Sequence, residues 1–485
     1  MRLFLCASLL CSLPLSQAAT AQPAELPTPW VTPPGDRLDH EAAGFAKVLC
    51  SAVFITGRPV RAAAEEDGYF VAPYAMRRQV VDTVVDRVRR QVRVRLANGM
   101  ERIARQVGDQ GCTILPRGVD SVAFRPVAVT PLPANGAALE WPMGEDITSI
   151  APPPGIDLSR VQAAVDSMFA PDSALTAAVV VLYRGQLIAE RYRAGISDTT
   201  RLPGWSMGKS VTATMIGRLI QQGALGLWDA APVNEWRSLG DVRSTIRVAD
   251  LLRMSSGLRF VAPQDPDFDP KRGYPDHLYV YTGAIDAQRY ALTRPPQWAP
   301  NTVGRYRNTD PLVLNAIVRS LVTARGEEYL TWPQRALFNQ IGVRHMTLET
   351  DLSGGFLLQG FEHASARDWA RIGLLTLQDG RWMGAQLLPV GWLDFVRTPA
   401  PAWPSGEYGG MFWLNRPGEY PVPRDAFYMA GVGGQFTFML PTHDLVVARL
   451  GHYKGAAAGE AALKRGLAML VQAVPQVRAV WEPPK

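Results

Sequence analysis

Residues 204–212, Gly204-Trp205-Ser206-Met207-Gly208-Lys209-Ser210-Val211-Thr212, read "GWSMGKSVT" and fit or nearly fit three catalytic patterns. Gly204 to Gly208 has the form G-x-S-x-G of a nucleophile elbow. Gly208-Lys209-Ser210 ends like a phosphate-binding P-loop. Ser206 to Lys209 is S-x-x-K, a nucleophile with its base three residues on. The three imply different chemistry, and the flanking residues separate them.

The P-loop fails on spacing. Its first glycine would fall at position 203, which is Pro203. Proline also lacks the N–H that such a loop points at phosphate. The elbow asks for a buried strand running straight into the serine. The preceding residues, "GISDTTRLPGW", are polar and carry a proline two residues before Trp205. The elbow also needs a later aspartate and histidine, and His345, His363, His443 and His452 leave that partner available. S-x-x-K asks for a helix starting at the serine, which brings Lys209 onto the same face one turn on. The sequence supplies it: Val211, Met215, Ile216, Leu219 and Ile220 recur with helical spacing, and Gly223 suits the C-terminal end. The N-terminus of that helix also favours negative charge developing on the serine oxygen.

Two later stretches support this reading. "GRYRNTDP" contains Tyr306-Arg307-Asn308, a Y-x-N triplet. "AGVGGQFTFMLPTHDLVVARLG" has a glycine-rich entry, Gly431 to Gly434, into an apolar strand, then a turn at Thr442-His443-Asp444 and a second strand. With these three parts in this order, residues 157–472 resemble the class C β-lactamase-like serine hydrolases, the β-lactamase-related family. That family includes D-aminopeptidases and D,D-peptidases, some esterases and 6-aminohexanoate-dimer hydrolases. "LGLWDAAPVNEW", "IRVADLLRMSSGL" and "SARDWARIGLLTLQDGRWMGAQLLPVGWL" extend the likeness.

The resemblance implies an α+β fold of the serine β-lactamase and penicillin-binding-protein type: an antiparallel sheet flanked by helices, with a helical subdomain. It implies Ser206 as nucleophile, Lys209 and Tyr306 as acid/base groups, and Asn308 orienting Lys209 and the substrate amide. It implies an oxyanion site between the backbone N–H groups of Ser206 and Gln435, with Gly433 and Gly434 letting substrate approach the strand edge. No metal or cofactor is implied. One departure narrows the substrate. The Lys-Thr-Gly of classical β-lactamases is replaced by Val432-Gly433-Gly434 followed by Gln435, so no lysine or histidine stands there to bind a substrate carboxylate. This shifts the expectation toward amide hydrolases and esterases, and the "GGQ" form most resembles the 6-aminohexanoate-dimer hydrolase branch. Two other readings stay in view: a catalytically silent protein holding cell-wall peptides, and an α/β-hydrolase-type esterase using the G-x-S-x-G at 204–208. Trp205, Trp298 and Tyr281 are aromatic candidates for the pocket wall, and His363 and His443 read as structural.

The rest of the chain sets the context. Its 485 residues are 47% apolar and 19% charged, enough for one large domain and a smaller one. Arg2, the apolar run "LFLCASLLCSLPL" and the small residues Ala19 and Ala21 read as a cleavable export signal over 1–21, hence a periplasmic or secreted protein. No later run of 18 or more apolar residues calls for membrane insertion. Cys50 and Cys112 then remain as a pair suited to a disulfide. Residues 22–37 are a proline-rich leader expected to be loose, 38–128 a small α+β unit, 129–156 a linker or wrapping segment, and 157–485 the hydrolase domain.

Residues 77–105 hold nine arginines against three acids, which accounts for the whole chain's net charge of +6. "VRVRL" alternates, however, with Val92, Val94 and Leu96 on one face and Arg93 and Arg95 on the other, before a hairpin turn at Asn98-Gly99. A solvated strand face explains these arginines without nucleic acid. The expected partner is a small-molecule or short-peptide amide or ester, and no oligomeric state is read from the sequence.

Overall fold

The computed structural model describes residues 23–147, 153–266 and 268–482. The export signal expected over 1–21 lies outside these residues. No helix among them is long and apolar enough to cross a membrane.

The N-terminal unit is a helix laid on a sheet. The helix spans Arg37–Ser51, and the Asp36 side chain caps it by accepting from the N–H groups of Leu38 and Asp39. Four antiparallel strands follow in the order β1 (Val80–Asp86), β2 (Gln91–Leu96), β3 (Glu101–Gln106) and β4 (Cys112–Leu115). The alternation in β2 works as expected. Val92, Val94 and Leu96 are buried in one cluster with Ala42, Ala46 and Leu49 of the helix. Arg93 and Arg95 face outward beside Asp82 and Glu101. The turn to β3 carries Gly99 at φ +83°, a conformation that favours glycine. A Cys50–Cys112 disulfide joins the helix to β4.

The hydrolase domain is built on a six-stranded antiparallel sheet. Its first strands are β5 (Thr176–Tyr183) and β6 (Gln186–Tyr192). They are joined at Arg184 and Gly185, both at positive φ as a two-residue hairpin turn requires. A three-stranded sheet, ordered β7-β9-β8, comprises β7 (Leu202–Pro203), β8 (Met346–Leu348) and β9 (Glu362–Ala364). A two-stranded ribbon joins β10 (Arg381–Trp382) to β11 (Ala385–Gln386). The large sheet is completed by β12 (Trp413–Leu414), β13 (Phe427–Gly431), β14 (Gln435–Leu440) and β15 (Leu445–Gly451), in the order β12-β13-β14-β15-β5-β6.

The unbroken apolar run of β5 follows from its place between two layers. Val179, Val181 and Tyr183 pack with the terminal helices Leu158–Ser167 and Ala456–Ala473, through Val165, Met168, Leu463 and Leu467. Ala178, Val180 and Leu182 face the larger core, which holds Trp369, Ala370 and Ile372 of the helix Ala366–Leu377. The helix Gly208–Gln221 is buried along most of its length in this core. Asn315 of the helix Thr309–Ala324 donates to Thr212 Oγ1 at 2.8 Å and ties the two helices together.

The N-terminal unit is bolted to this domain through buried carboxylates. Glu349, fully buried, takes an ion pair from Lys47 at 2.7 Å, a hydrogen bond from Ser51 Oγ at 2.9 Å and one from the Cys112 N–H at 2.6 Å. A second link holds Asp67: its carboxylate pairs with Arg58, lies 3.2 Å from His452 Nδ1 and accepts the Tyr453 N–H at 3.1 Å. The proline-rich stretch expected to be loose lies against the helical side instead. Leu26 N–H donates to Gln297 O, Trp30 Nε1–H donates to Asp276, and Glu25 pairs with Arg259. Within 129–147, Trp141 donates to Gly185 O, and the carbonyls of Pro142 and Gly144 accept from Arg371, so these residues wrap the domain.

Replacing Glu349 with leucine strands the Lys47 ammonium in the interior. The expected loss is roughly 3–5 kcal/mol of unfolding free energy. Urea denaturation measures it, and a Lys47→Met/Glu349→Leu double variant should regain a large part.

Candidate active site

The nucleophile turn is set by a two-residue ladder. Leu202 and Pro203 pair with Ala364 and His363, and Gly204 N–H donates to Glu362 O at 3.0 Å. Trp205 then enters the left-handed region at φ +51°, a strained conformation of the kind that gathers at functional sites. Trp205–Met207 form one 3₁₀ turn that runs directly into the helix from Gly208. This arrangement corrects the elbow reading. The large sheet is antiparallel, and the strand ahead of Ser206 is a short edge piece outside it. The four candidate histidines lie elsewhere: the His345 N–H donates to Asp368, His443 lies in the turn before β15, His452 lies against Asp67, and His363 faces Glu349 at 3.6 Å.

The helix brings Lys209 to Ser206 as the three-residue spacing requires. Lys209 Nζ donates to Ser206 Oγ at 2.9 Å and to the Gln359 carbonyl at 2.6 Å, and it stands 4.8 Å from the centre of the Tyr306 ring. Its side chain is 1% exposed. Burial lowers the amine to about 7, against a smaller opposing effect of Glu362. Burial acts oppositely on Tyr306. It raises the phenol, and hydrogen bonding with Ser206 and Trp413 offsets only part of that rise. The site therefore holds a lysine that is part neutral near pH 7 beside a tyrosine that stays protonated.

Sequence reasoning missed three features of this cluster. The first is the Gln359 carbonyl, which accepts from both Lys209 Nζ and the Tyr281 hydroxyl, the latter at 2.8 Å. A carbonyl of this kind carries no sequence signal. The second is Glu362, buried beneath the nucleophile turn. Burial lifts its carboxyl well above the usual range, and the Lys209 charge offsets part of this. A Cβ at Gly204 or Gly208 would meet its oxygens at 2.6 or 2.1 Å, so both glycines are there for close packing. A lone acid inside "GGFLLQGFEHA" was the available clue. The third is Phe70 of the N-terminal unit, 4.7 Å from the Trp205 ring.

The remaining expected residues are placed as follows. Asn308 directs its amide to the His277 carbonyl at 2.9 Å and lies beside the Tyr281 hydroxyl; the Gln359 carbonyl holds Lys209 in its stead. Val432, Gly433 and Gly434 form the hairpin turn between β13 and β14, with Gly433 at φ +88° and Gly434 at φ +80°. Gln435 points inward. It donates to Gly451 O at 2.8 Å and accepts from Gly451 N–H at 2.9 Å, tying the turn to β15. Tyr281 and Trp205 lie at the cluster. Trp298 instead lies under the guanidinium groups of Arg305 and Arg307.

An antiparallel sheet between helical layers, with a serine bonded to a buried lysine one turn along its own helix, defines the β-lactamase and penicillin-binding-protein class of fold. Residues 162–469 match the Beta-lactamase family, and the chain belongs to that family; it is a hydrolase. It is 25% identical over 292 residues to the 6-aminohexanoate-dimer hydrolase of Paenarthrobacter ureafaciens, covering 57% of this chain and 72% of the relative. Two solved structures share the fold. A penicillin-binding protein homologue from Caulobacter crescentus aligns with TM-score 0.51 and 19% identity, over 68% of this chain and all of the other. EstCE1, a hydrolase with promiscuous acyltransferase activity, aligns with TM-score 0.51 and 16% identity, over 64% of this chain and 98% of the other.

Strand β13 abuts the nucleophile turn so closely that a Cβ on Gly431 would lie 2.0 Å from Gly204 O. Gly431→Ala should therefore force strand and turn apart, at about 1–3 kcal/mol for the overpacking. Thermal unfolding should show a lower midpoint.

Proposed function

We propose that the protein is an exported serine hydrolase that cleaves an amide or ester through an acyl-enzyme on Ser206. The single observation that carries this reading is the contact of a fully buried Lys209 amine, lowered to about 7, with Ser206 Oγ at 2.9 Å. A serine hydroxyl becomes a competent nucleophile when a neighbouring base takes its proton. Neutral Lys209 is that base. As the Oγ–carbon bond forms, the serine proton moves to Lys209 Nζ and the carbonyl electron pair moves onto oxygen. Collapse expels the amine or alcohol, which takes its proton from the Tyr306 hydroxyl, and the Lys209 ammonium restores that proton. The raised phenol favours this donor role over that of an anionic base. Water then attacks the acyl-enzyme by the same route in reverse, releasing the acid and free Ser206.

The substrate reading follows the Val432-Gly433-Gly434 turn, which offers no cation for a carboxylate, together with the likeness to the 6-aminohexanoate-dimer hydrolase. Amides and esters of that general type are the proposed substrates. Export rests on the signal pattern over 1–21.

Fluorophosphonate labelling, with the adduct mapped by mass spectrometry, tests the mechanism. An adduct on Ser206 is expected, with a rate 10²–10⁴-fold lower in Lys209→Ala, the usual contribution of a positioned base. Labelling of Lys209→Ala at the wild-type rate, or no adduct with this probe and a smaller serine reagent, overturns it. The pH dependence has a definite sign. Below about 7 the lysine is an ammonium and cannot accept a proton, so the labelling rate should fall about tenfold per pH unit there and level off above.

A further inference from the structure

The family match begins at residue 162, after the N-terminal unit. One of its side chains nevertheless reaches the candidate site. Phe70, half-buried, stacks edge-on against Trp205 with ring centres 4.7 Å apart. It stands 6.3 Å from the ring of Tyr281, whose hydroxyl shares the Gln359 carbonyl with Lys209. It stands 5.8 Å from the ring of Tyr453. Tyr453 in turn lies against the hairpin turn, where a Cβ on Gly433 would come 3.0 Å from its Cα. Phe70 is thus bounded by the turn at Trp205, by Tyr281 of the helix Asp276–Thr282, and by Tyr453, which itself lies against the glycine turn.

Its position is fixed by the residues just before it. Asp67, three residues earlier, accepts the Tyr453 N–H and pairs with Arg58 and His452. A Cβ on Gly68 would sit 2.6 Å from the Phe45 ring, so this residue packs directly beneath the N-terminal helix. The buried Lys47–Glu349 pair holds that helix to the domain. The carboxylate nearest Phe70 in sequence is therefore internally paired and offers no charge to a ligand. What remains open at this wall is the aromatic surface of the half-buried Phe70 and Tyr453, with Trp205 buried behind them.

We propose that Phe70 is a specificity-determining residue of the hydrolase site. The N-terminal unit supplies one wall of an aromatic subsite, Phe70 beside Tyr453 and backed by the buried Trp205, for an uncharged apolar group on one side of the scissile carbonyl. The unit's function is then to select neutral substrates with an extended or flat apolar substituent. This rests on the reading of Ser206 as the reacting residue.

The test uses the full mature chain and two ester series. One lengthens the acyl group from acetate to hexanoate with a common alcohol; the other lengthens the alcohol from methyl to hexyl on acetate. In one series kcat/KM should rise by up to roughly fourfold per methylene buried. Phe70→Ala should flatten that slope to below twofold, and Phe70→Leu should keep an intermediate slope. An unchanged slope in Phe70→Ala, or an equal loss at every chain length, overturns the proposal. A binding arm is independent of the chemistry. Ser206→Ala protein should bind N-hexylhexanamide, and adding Phe70→Ala should weaken that binding at least fivefold by calorimetry. An unchanged affinity overturns the subsite even if the esters are hydrolysed. Conversely, absence of turnover with a Phe70-dependent affinity sinks the Ser206 reading and leaves the subsite standing.

Discussion

The candidate site depends on keeping water away from one amine. Lys209 lies inside a helix that is buried along most of its length, with its Nζ shared between Ser206 Oγ and the Gln359 carbonyl. Burying an ammonium costs free energy, and a lysine responds by releasing its proton more readily. The fold arranges the surroundings so that this happens near neutral pH. Glu362 pulls the other way and limits the fall. The same dehydration acts with opposite sign on Tyr306, since there the anion is the disfavoured form. One physical condition, low solvation, thus leaves the lysine part neutral near pH 7 and the phenol protonated.

Close packing of backbone holds the amine there. The short β7–β9 ladder delivers Gly204 beside Glu362, and Gly208 lets the helix start against the same carboxyl. Gly431 lets β13 approach the carbonyl of Gly204 from the other side. A side chain at any of these glycines would move the nucleophile turn relative to the sheet. The N-terminal unit joins this assembly through buried charges. Removing one partner of such a pair leaves a charge in the interior, so the connection at Glu349 is costly to break even though few groups make it. Phe70 inherits its position from that attachment.

Much of this was legible in the chain, because the decisive signals are local. Strand β5 shows as a continuous apolar run since both of its faces are covered. The β2–β3 hairpin shows as alternation followed by Asn98-Gly99, and the outward arginines find acids within their own sheet. The S-x-x-K spacing places Lys209 next to Ser206 because three residues in a helix return to the same face. Asn308 was read less well. Its Nδ2 donates to the His277 carbonyl, a group more than thirty residues away that a linear reading cannot place.

The sequence by itself determined the family, the helix that brings Lys209 to Ser206 and the paired cysteines, since each rests on residue types at short spacing or in a fixed order. Only the tertiary structure decided which groups surround the lysine: a carbonyl at 359, a carboxyl at 362 and a phenol at 281. It alone decided that the proline-rich stretch and the N-terminal unit pack on the domain, and that Phe70 stands beside Trp205. The reason is physical. Burial and long-range contact are properties of the packed chain, and they shift a pKa or build a pocket wall through neighbours that no spacing in the sequence encodes.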